Sequence, residues 1–174
     1  LWYIFIEKVR SRNEPAAESG AAGGDEVDAL VREADARLAA SSPAKSAKLN
    51  NLPVGFVLGA TGSAKTTTIL NSGLDAELLA GQVYQDANVV PTRAVNVWFA
   101  RQMVFVEAGG RLLTETALWA SLLRRLQPRK LQSVVGGAAQ AQRAAVVCVD
   151  GELFSQAGAA EALSGLGRAL QARL

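Results

Sequence analysis

The feature that most constrains the fold is a glycine-rich turn between an apolar run of strand length, Val54–Leu58, and a helix-like run at residues 65–71. Between them the chain reads Gly59-Ala60-Thr61-Gly62-Ser63-Ala64-Lys65-Thr66. Except at Ala64, where glycine is expected, this segment has the pattern Gly-x-x-x-x-Gly-Lys-Ser/Thr, whose backbone N–H groups cradle phosphates at a strand-to-helix turn. The sequence therefore predicts an α/β fold with a phosphate-binding loop.

The residue types of this loop suit a nucleotide and Mg²⁺. Glycine lets the backbone approach phosphate oxygens, and a helix that begins at the loop adds free N–H groups. Lys65 would bring positive charge to the outer phosphates, and the Thr66 hydroxyl is placed to ligate Mg²⁺. The predicted nucleotide-binding residues are Gly59, Ala60, Thr61, Gly62, Ser63, Ala64, Lys65, Thr66 and Thr67. The Ala64 methyl group is expected to weaken binding, and a glycine-rich turn without a ligand is the alternative.

Two further segments suggest a nucleotide-dependent switch. Thr92 precedes a strand-like run, and Glu107-Ala108-Gly109-Gly110 follows the next one. The second segment resembles Asp-x-x-Gly, in which the carboxylate holds Mg²⁺ through water and the glycine amide senses the γ-phosphate. We therefore predict a metal site at Thr66, Glu107 and Thr92, and switch residues Thr92, Arg93, Glu107 and Gly110. The alternatives are a solvated turn residue at Thr92 and a metal-free edge carboxylate at Glu107, and no catalytic residue is identified.

The rest of the chain fits an α/β order. Strand-like residues 95–99 and 103–106 are too close for a parallel crossover, so they predict an antiparallel hairpin. Residues 114–126 and 159–174 predict helices, and residues 144–149 predict a central strand covered on both faces. The predicted fold is a three-layer, GTPase-like P-loop NTPase domain with a mostly parallel sheet and one antiparallel hairpin. It is expected to be truncated at the C-terminus, because no segment that would read guanine follows.

The N-terminal third predicts three parts. Residues 1–10 begin with six apolar residues and continue with charged ones, so they are either the end of a transmembrane helix with a membrane-proximal segment or an ordinary apolar element docked on the domain. Residues 11–24, rich in Ala, Gly, Ser and Glu, predict a flexible linker. Residues 25–40 predict an amphipathic helix that opens the incomplete NTPase-like domain, residues 25–174.

Composition excludes several chemistries. The chain has no histidine, which removes histidine-based general base catalysis and histidine metal sites. Cys148 is its one cysteine, so an internal disulfide is excluded. The net charge of +2 does not favour a nucleic-acid partner.

Taken together, the motifs resemble the cytoplasmic domain of the TssM/IcmF family, inner-membrane components of type VI secretion systems. The resemblance rests on Leu52-Pro53, the segment from Gly59 to Thr66, Asn71-Ser72-Gly73-Leu74, Thr92-Arg93, Trp98-Phe99, and Glu107-Ala108-Gly109-Gly110-Arg111. Family members typically read Asn-Ser-Gly-Leu, Thr-Arg-Asn and Asp-Thr-Ala-Gly-Arg at three of these places. The chain departs from the family at Ala64, Ala94, Glu107 and Ala108–Gly109, and at Val54–Gly55, where family members read Trp-Tyr.

The resemblance implies a cytoplasmic domain anchored in the bacterial inner membrane through an N-terminal segment. It would bind ATP or GTP with Mg²⁺ and act in assembly or energising of an envelope-spanning complex, with inner-membrane and lipoprotein partners. The alternative is a degenerate P-loop domain without hydrolysis that serves as a protein–protein interaction scaffold. A P-loop kinase is a third hypothesis, which the antiparallel hairpin and the lack of an evident acceptor site argue against.

Overall fold

The first element is a long helix packed on the central sheet. The computed structural model describes residues 19–41, 48–85, 88–127 and 143–172. Helix α1 spans Ser19–Ser41, and its side chains Val27, Val31, Ala34 and Leu38 are buried in the main core. Their spacing places them on one face of the helix. The amphipathic helix predicted for residues 25–40 is therefore confirmed.

The linker predicted for residues 11–24 is wrong at its C-terminal end, because residues 19–24 belong to α1. This stretch lacks apolar periodicity, but extending an existing helix costs far less than nucleating one. Residues 1–18 lie outside the described residues, and with them the predicted segment 1–10 and the rest of the linker. In the part of the chain that the structure describes, no helix is long and apolar enough to cross a bilayer.

The remaining elements alternate between strands and helices. The strands are β1 (Val54–Leu58), β2 (Glu77–Ala80), β3 (Tyr84–Gln85), β4 (Asn88–Val89), β5 (Val95–Ala100), β6 (Met103–Ala108) and β7 (Arg143–Val147). The helices are α2 (Lys65–Leu70), α3 (Gly110–Thr114), α4 (Thr116–Leu126) and α5 (Ala159–Gln171), with 3₁₀ turns at Leu49–Asn51 and Gly151–Ser155.

Five strands form one mixed sheet in the order β2-β5-β6-β1-β7. β1 pairs in parallel with β6 and β7, whereas β5 is antiparallel to both β2 and β6. β3 and β4 form a separate two-stranded ribbon. The predicted α/β class, with a mostly parallel sheet and an antiparallel hairpin, is confirmed. The finer assignment to the GTPase-like P-loop NTPases stays a prediction.

Helices cover both faces of the sheet around β1, whose five residues are all buried. Phe56 faces α4, where its ring centroid lies 5.5 Å from that of Trp119. Val57 points to the other face, where it packs in a smaller cluster with Ile69 of α2 and with Trp98. This alternation is the period of two expected of a strand covered on both faces.

The predicted hairpin is β5–β6, and its turn fixes the register of the two strands. Arg101 and Gln102 form the turn with φ angles of 48° and 65°. Ala100 pairs with Met103 across the turn, and the same register sets Asn96 directly opposite Glu107. The turn therefore decides which side chains meet the carboxylate of Glu107.

Two other predictions need correction. The helix predicted for residues 114–126 is α4, which begins two residues later than predicted: Glu115 has non-helical angles of −96° and 95°, and Thr114 ends the separate helix α3. The strand predicted at residues 144–149 as central is β7, which pairs only with β1 among the described strands and has all five residues exposed. Its apolar run indicated a strand correctly, but not its place at the edge of the described sheet.

Replacing Gln102 by glycine should stabilise the fold. Relief of the left-handed backbone, about 1–2 kcal/mol, exceeds the extra entropy of glycine in the unfolded chain, about 0.4–1 kcal/mol. We expect Gln102→Gly to raise the free energy of unfolding in urea by roughly 0.5–1 kcal/mol. The control is Gln127→Gly, where φ is −69° and the same exchange should be destabilising. A loss of stability in Gln102→Gly would contradict the turn geometry.

Candidate functional site

The candidate site is built on residues 59–66, called here the 59–66 loop, between β1 and α2. Gly59 has φ of 154°, and a Cβ atom there would lie 2.4 Å from the carbonyl oxygen of Cys148. Only glycine fits this approach, because real Cβ atoms do not come so near. The Ser63 hydroxyl donates to the carbonyl of Ala60 at 2.8 Å and closes the loop on itself.

Ala64 is the N-cap of α2 and has φ of 56° and ψ of 23°. This is the left-handed region, which glycine adopts easily and alanine does not. The residue is exposed, so no side-chain packing compensates for the backbone strain. Alanine in place of the expected glycine therefore raises the conformational energy of the backbone at the start of α2.

Lys65 is 5% exposed and its ammonium is held by the loop. Nζ donates to the carbonyl oxygens of Gly59 at 3.1 Å and Ala60 at 2.7 Å. Burial lowers the pKa of Lys65, and the negative charge of Glu107 acts in the opposite direction. The Lys65 ammonium is therefore a buried cation that two carbonyl oxygens of the 59–66 loop hold in place.

Glu107, at the end of β6, is fully buried and accepts hydrogen bonds from four side chains. Its Oε1 accepts from the hydroxyls of Thr66 and Thr92, both at 2.5 Å. Its Oε2 accepts from Nδ2 of Asn96 at 3.1 Å and Nε1 of Trp98 at 3.2 Å. An ionised carboxylate offers about four acceptor positions, so this one is saturated by the protein.

The residues after Glu107 bring two other segments together. The N–H of Gly109 donates to the carbonyl of Ala94 at 2.8 Å, which ties the segment after Thr92 to the end of β6. A Cβ atom at Gly110 would lie 2.3 Å from Oγ1 of Thr61, so the start of α3 contacts the 59–66 loop at glycine. These contacts enclose one cleft.

The cleft has a volume of about 220 Å³. It is lined by residues from the 59–66 loop, the 89–92 segment and the end of β6: Thr61, Gly62, Ser63, Ala64, Lys65, Thr66, Thr67, Val89, Val90, Pro91, Thr92, Glu107 and Gly110. Gly59 and Ala60 lie beside it, bonded to Lys65. The structure thus brings together the predicted loop residues with Thr92, Glu107 and Gly110.

Neither the predicted switch residue Arg93 nor the motif residue Arg111 lines the cleft. Arg93 is exposed and lines a groove between α1 and the residues after β2. Arg111 is exposed and pairs with Glu115, its Nε lying 2.8 Å from Oε1. Lys65 is therefore the cation among the described residues that line the cleft.

The donor set has the chemistry of a Mg²⁺ site but not its geometry. Two hydroxyls and a carboxylate are hard oxygen ligands of the kind Mg²⁺ takes. However, Oε1 of Glu107 already joins Thr66 to Thr92, and Oε2 is used by two other donors. As these side chains stand, the carboxylate has no position left for water on an ion. Mg²⁺ ligation at this place stays a prediction.

Asn96 and Trp98 were missed as partners of Glu107. Trp98 is buried, and its indole N–H donates to the carboxylate. The predicted hairpin could have indicated these partners. Asn96 and Trp98 are two residues apart on one strand and so share a face, and a two-residue turn places that face beside Glu107. The contribution of residues 89–92 to the wall of the cleft could not be predicted from the hairpin, because no sequence pattern predicted β3 or β4.

The fold is that of an α/β protein with a mixed sheet, which is compatible with a nucleotide-binding fold. The chain is similar to the type VI secretion system component TssM1 of Pseudomonas aeruginosa, with 30% identity over 133 residues. That alignment covers 67% of this chain and 12% of TssM1. It supports the TssM resemblance seen in the motifs. No protein-family model matches the chain, and no solved structure matches it.

Replacing Ala64 by glycine should relieve the strain at the start of α2. We expect Ala64→Gly to raise the free energy of unfolding by roughly 0.5–1 kcal/mol, measured by urea denaturation. Ala120→Gly, at an exposed position in the interior of α4, is the matched control and should cost about 1 kcal/mol, because the backbone there is helical and already suits alanine. If both variants lose stability equally, Ala64 is not strained.

Proposed function

We infer that this chain is a nucleotide-binding domain of a TssM-like component of a type VI secretion system. It binds the phosphate chain of a nucleotide in the cleft between the 59–66 loop and the 89–92 segment. The backbone N–H groups of the loop and the Lys65 ammonium hold the phosphates. The base, adenine or guanine, stays open.

The observation that carries the proposal is the convergence of separate predicted motifs on one cleft. Thr66 follows β1, Thr92 precedes β5 and Glu107 lies near the end of β6. The hydroxyls of both threonines nevertheless donate to the same carboxylate oxygen of Glu107. Gly110 touches the same loop through Thr61. A glycine-rich turn without a ligand gives no reason for distant segments to meet at its open side.

The similarity to TssM1 supports the cellular setting. On that basis the domain is cytoplasmic and belongs to a protein of the bacterial inner membrane, which works with other inner-membrane and lipoprotein components of the complex. Because the chain spans 12% of TssM1, these statements concern a larger protein of which this domain is a part.

A domain that binds nucleotide without hydrolysing it, and serves as a scaffold, is the second candidate. Glu107 is the carboxylate among the described residues lining the cleft, and its acceptor positions are filled by protein donors. It is therefore not free to take a proton from water. The filled acceptor positions of Glu107 therefore favour a domain that binds nucleotide as a structural signal over one that hydrolyses it.

The test is a titration of fluorescently labelled ATP, ADP, GTP and GDP against the wild-type domain and Lys65→Ala. Charge-assisted hydrogen bonds contribute about 1.5–3 kcal/mol, so Lys65→Ala should weaken binding roughly tenfold to a hundredfold. Lys48→Ala, at an exposed lysine, is the control and should bind as the wild type does. A folded wild-type domain that binds none of the four nucleotides would sink the proposal.

A further inference from the structure

The buried carboxylate of Glu107 points to a property of this site beyond nucleotide binding. We propose that the cleft takes its phosphate ligand without a divalent cation, and that the Glu107 carboxylate replaces the ion as the group joining Thr66 to Thr92. The inference rests on the proposed nucleotide binding and specifies the form in which the ligand enters. It follows from the hydrogen bonds, the reach of the side chain and the charge in the cleft.

The first step is the hydrogen-bond saturation of the carboxylate. A Mg²⁺ ion demands near-octahedral oxygen ligands at about 2.0–2.1 Å and keeps several waters. Here the hydroxyls of Thr66 and Thr92 both donate to Oε1, so the carboxylate oxygen makes the link that an ion would make. Binding an ion between the same hydroxyls requires that Thr92 leave Glu107, with loss of a charge-assisted hydrogen bond.

The second step concerns the other oxygen of Glu107. Oε2 accepts from Asn96 and Trp98, both on β5. Asn96 is held in turn, since its Oδ1 accepts from the backbone N–H of Gln82 at 3.1 Å. Trp98 is fixed by packing with Val57 and Ile69. The carboxylate cannot turn toward water without leaving buried donors unpaired, which is costly.

The third step is the length of the side chain. Glutamate is one methylene longer than aspartate, which corresponds to a bond of about 1.5 Å. Because of this length, the carboxylate of a glutamate on β6 reaches both Thr66 of α2 and Thr92, which precedes β5. An aspartate at this position would retract from at least one of the hydroxyls and leave space for an ion.

The fourth step is charge. Among the described residues lining the cleft, Lys65 is positive and Glu107 is negative, so their charges cancel. A triphosphate without a metal brings more negative charge toward the buried carboxylate than a diphosphate does, and like charges repel strongly where water is excluded. The site is therefore suited to a metal-free nucleoside diphosphate at least as well as to a triphosphate.

The experiment measures the affinities of labelled ADP, ATP, GDP and GTP with magnesium chloride or with EDTA. In the wild type, we expect Mg²⁺ to change each dissociation constant by less than about twofold and diphosphates to bind at least as tightly as triphosphates. In Glu107→Asp, Mg²⁺ should strengthen triphosphate binding by about tenfold or more, because the retracted carboxylate frees Thr92 and a water position. Glu161→Asp, an exposed exchange on α5, should behave as the wild type.

A second variant covers the case in which Glu107→Asp does not fold. Trp98→Phe removes one donor from Oε2 and keeps an aromatic ring, so it should give a smaller Mg²⁺ dependence, and Trp119→Phe in the main core should give none. Wild-type triphosphate binding that Mg²⁺ strengthens about tenfold would overturn the inference and leave the proposed function standing. A folded wild type that binds no nucleotide with or without Mg²⁺ would overturn both.

Discussion

A carboxylate removed from water loses its hydration, and a fold can tolerate this only if donors replace that hydration. At Glu107 the donors come from three places: α2, the segment before β5, and β5 itself. The carboxylate therefore joins the 59–66 loop to the hairpin, and it also holds the segment before β5 through Thr92. If any one donor is withdrawn, part of a buried charge is left unmatched, so the arrangement of these elements depends on all four.

The hairpin register is what makes this network possible. Asn96 lies opposite Glu107 because Arg101 and Gln102 turn the chain in two residues, at positive φ. Neither residue favours that conformation, so the pairing of the two strands has to offset the strain of the turn. Buried pairs along β5 and β6 supply the free energy, since a slip by one residue would reverse the face of every side chain. Local strain is thus tolerated where tertiary packing and hydrogen bonding require it.

The sequence predicted the elements near the site better than their surroundings. Strong apolar patterns mark Val54–Leu58 and the two hairpin strands, and the glycine-rich loop marks the start of the short helix that follows it. All four elements were predicted to within two residues of their observed bounds. The edge position of β7 was missed, because an apolar run shows that a strand exists without showing which neighbours it has. The saturation of Glu107 was missed for a different reason: it depends on side chains from separate segments whose meeting is set by the tertiary structure.

The 89–92 segment connects the cleft with a second space. Val90 and Pro91 line the cleft on one side and, on the other, a groove of about 530 Å³ beside α1. The hydrogen bond from the N–H of Gly109 to the carbonyl oxygen of Ala94 holds the chain just beyond this segment to the end of β6. Val90 and Pro91 are therefore the residues through which the cleft and the groove adjoin, immediately before the threonine that donates to Glu107. The groove is also lined by Glu26 and Glu33 of α1 and by Arg93, so the segment that borders the neutral pair of Lys65 and Glu107 on one side borders a surface with charges of both signs on the other.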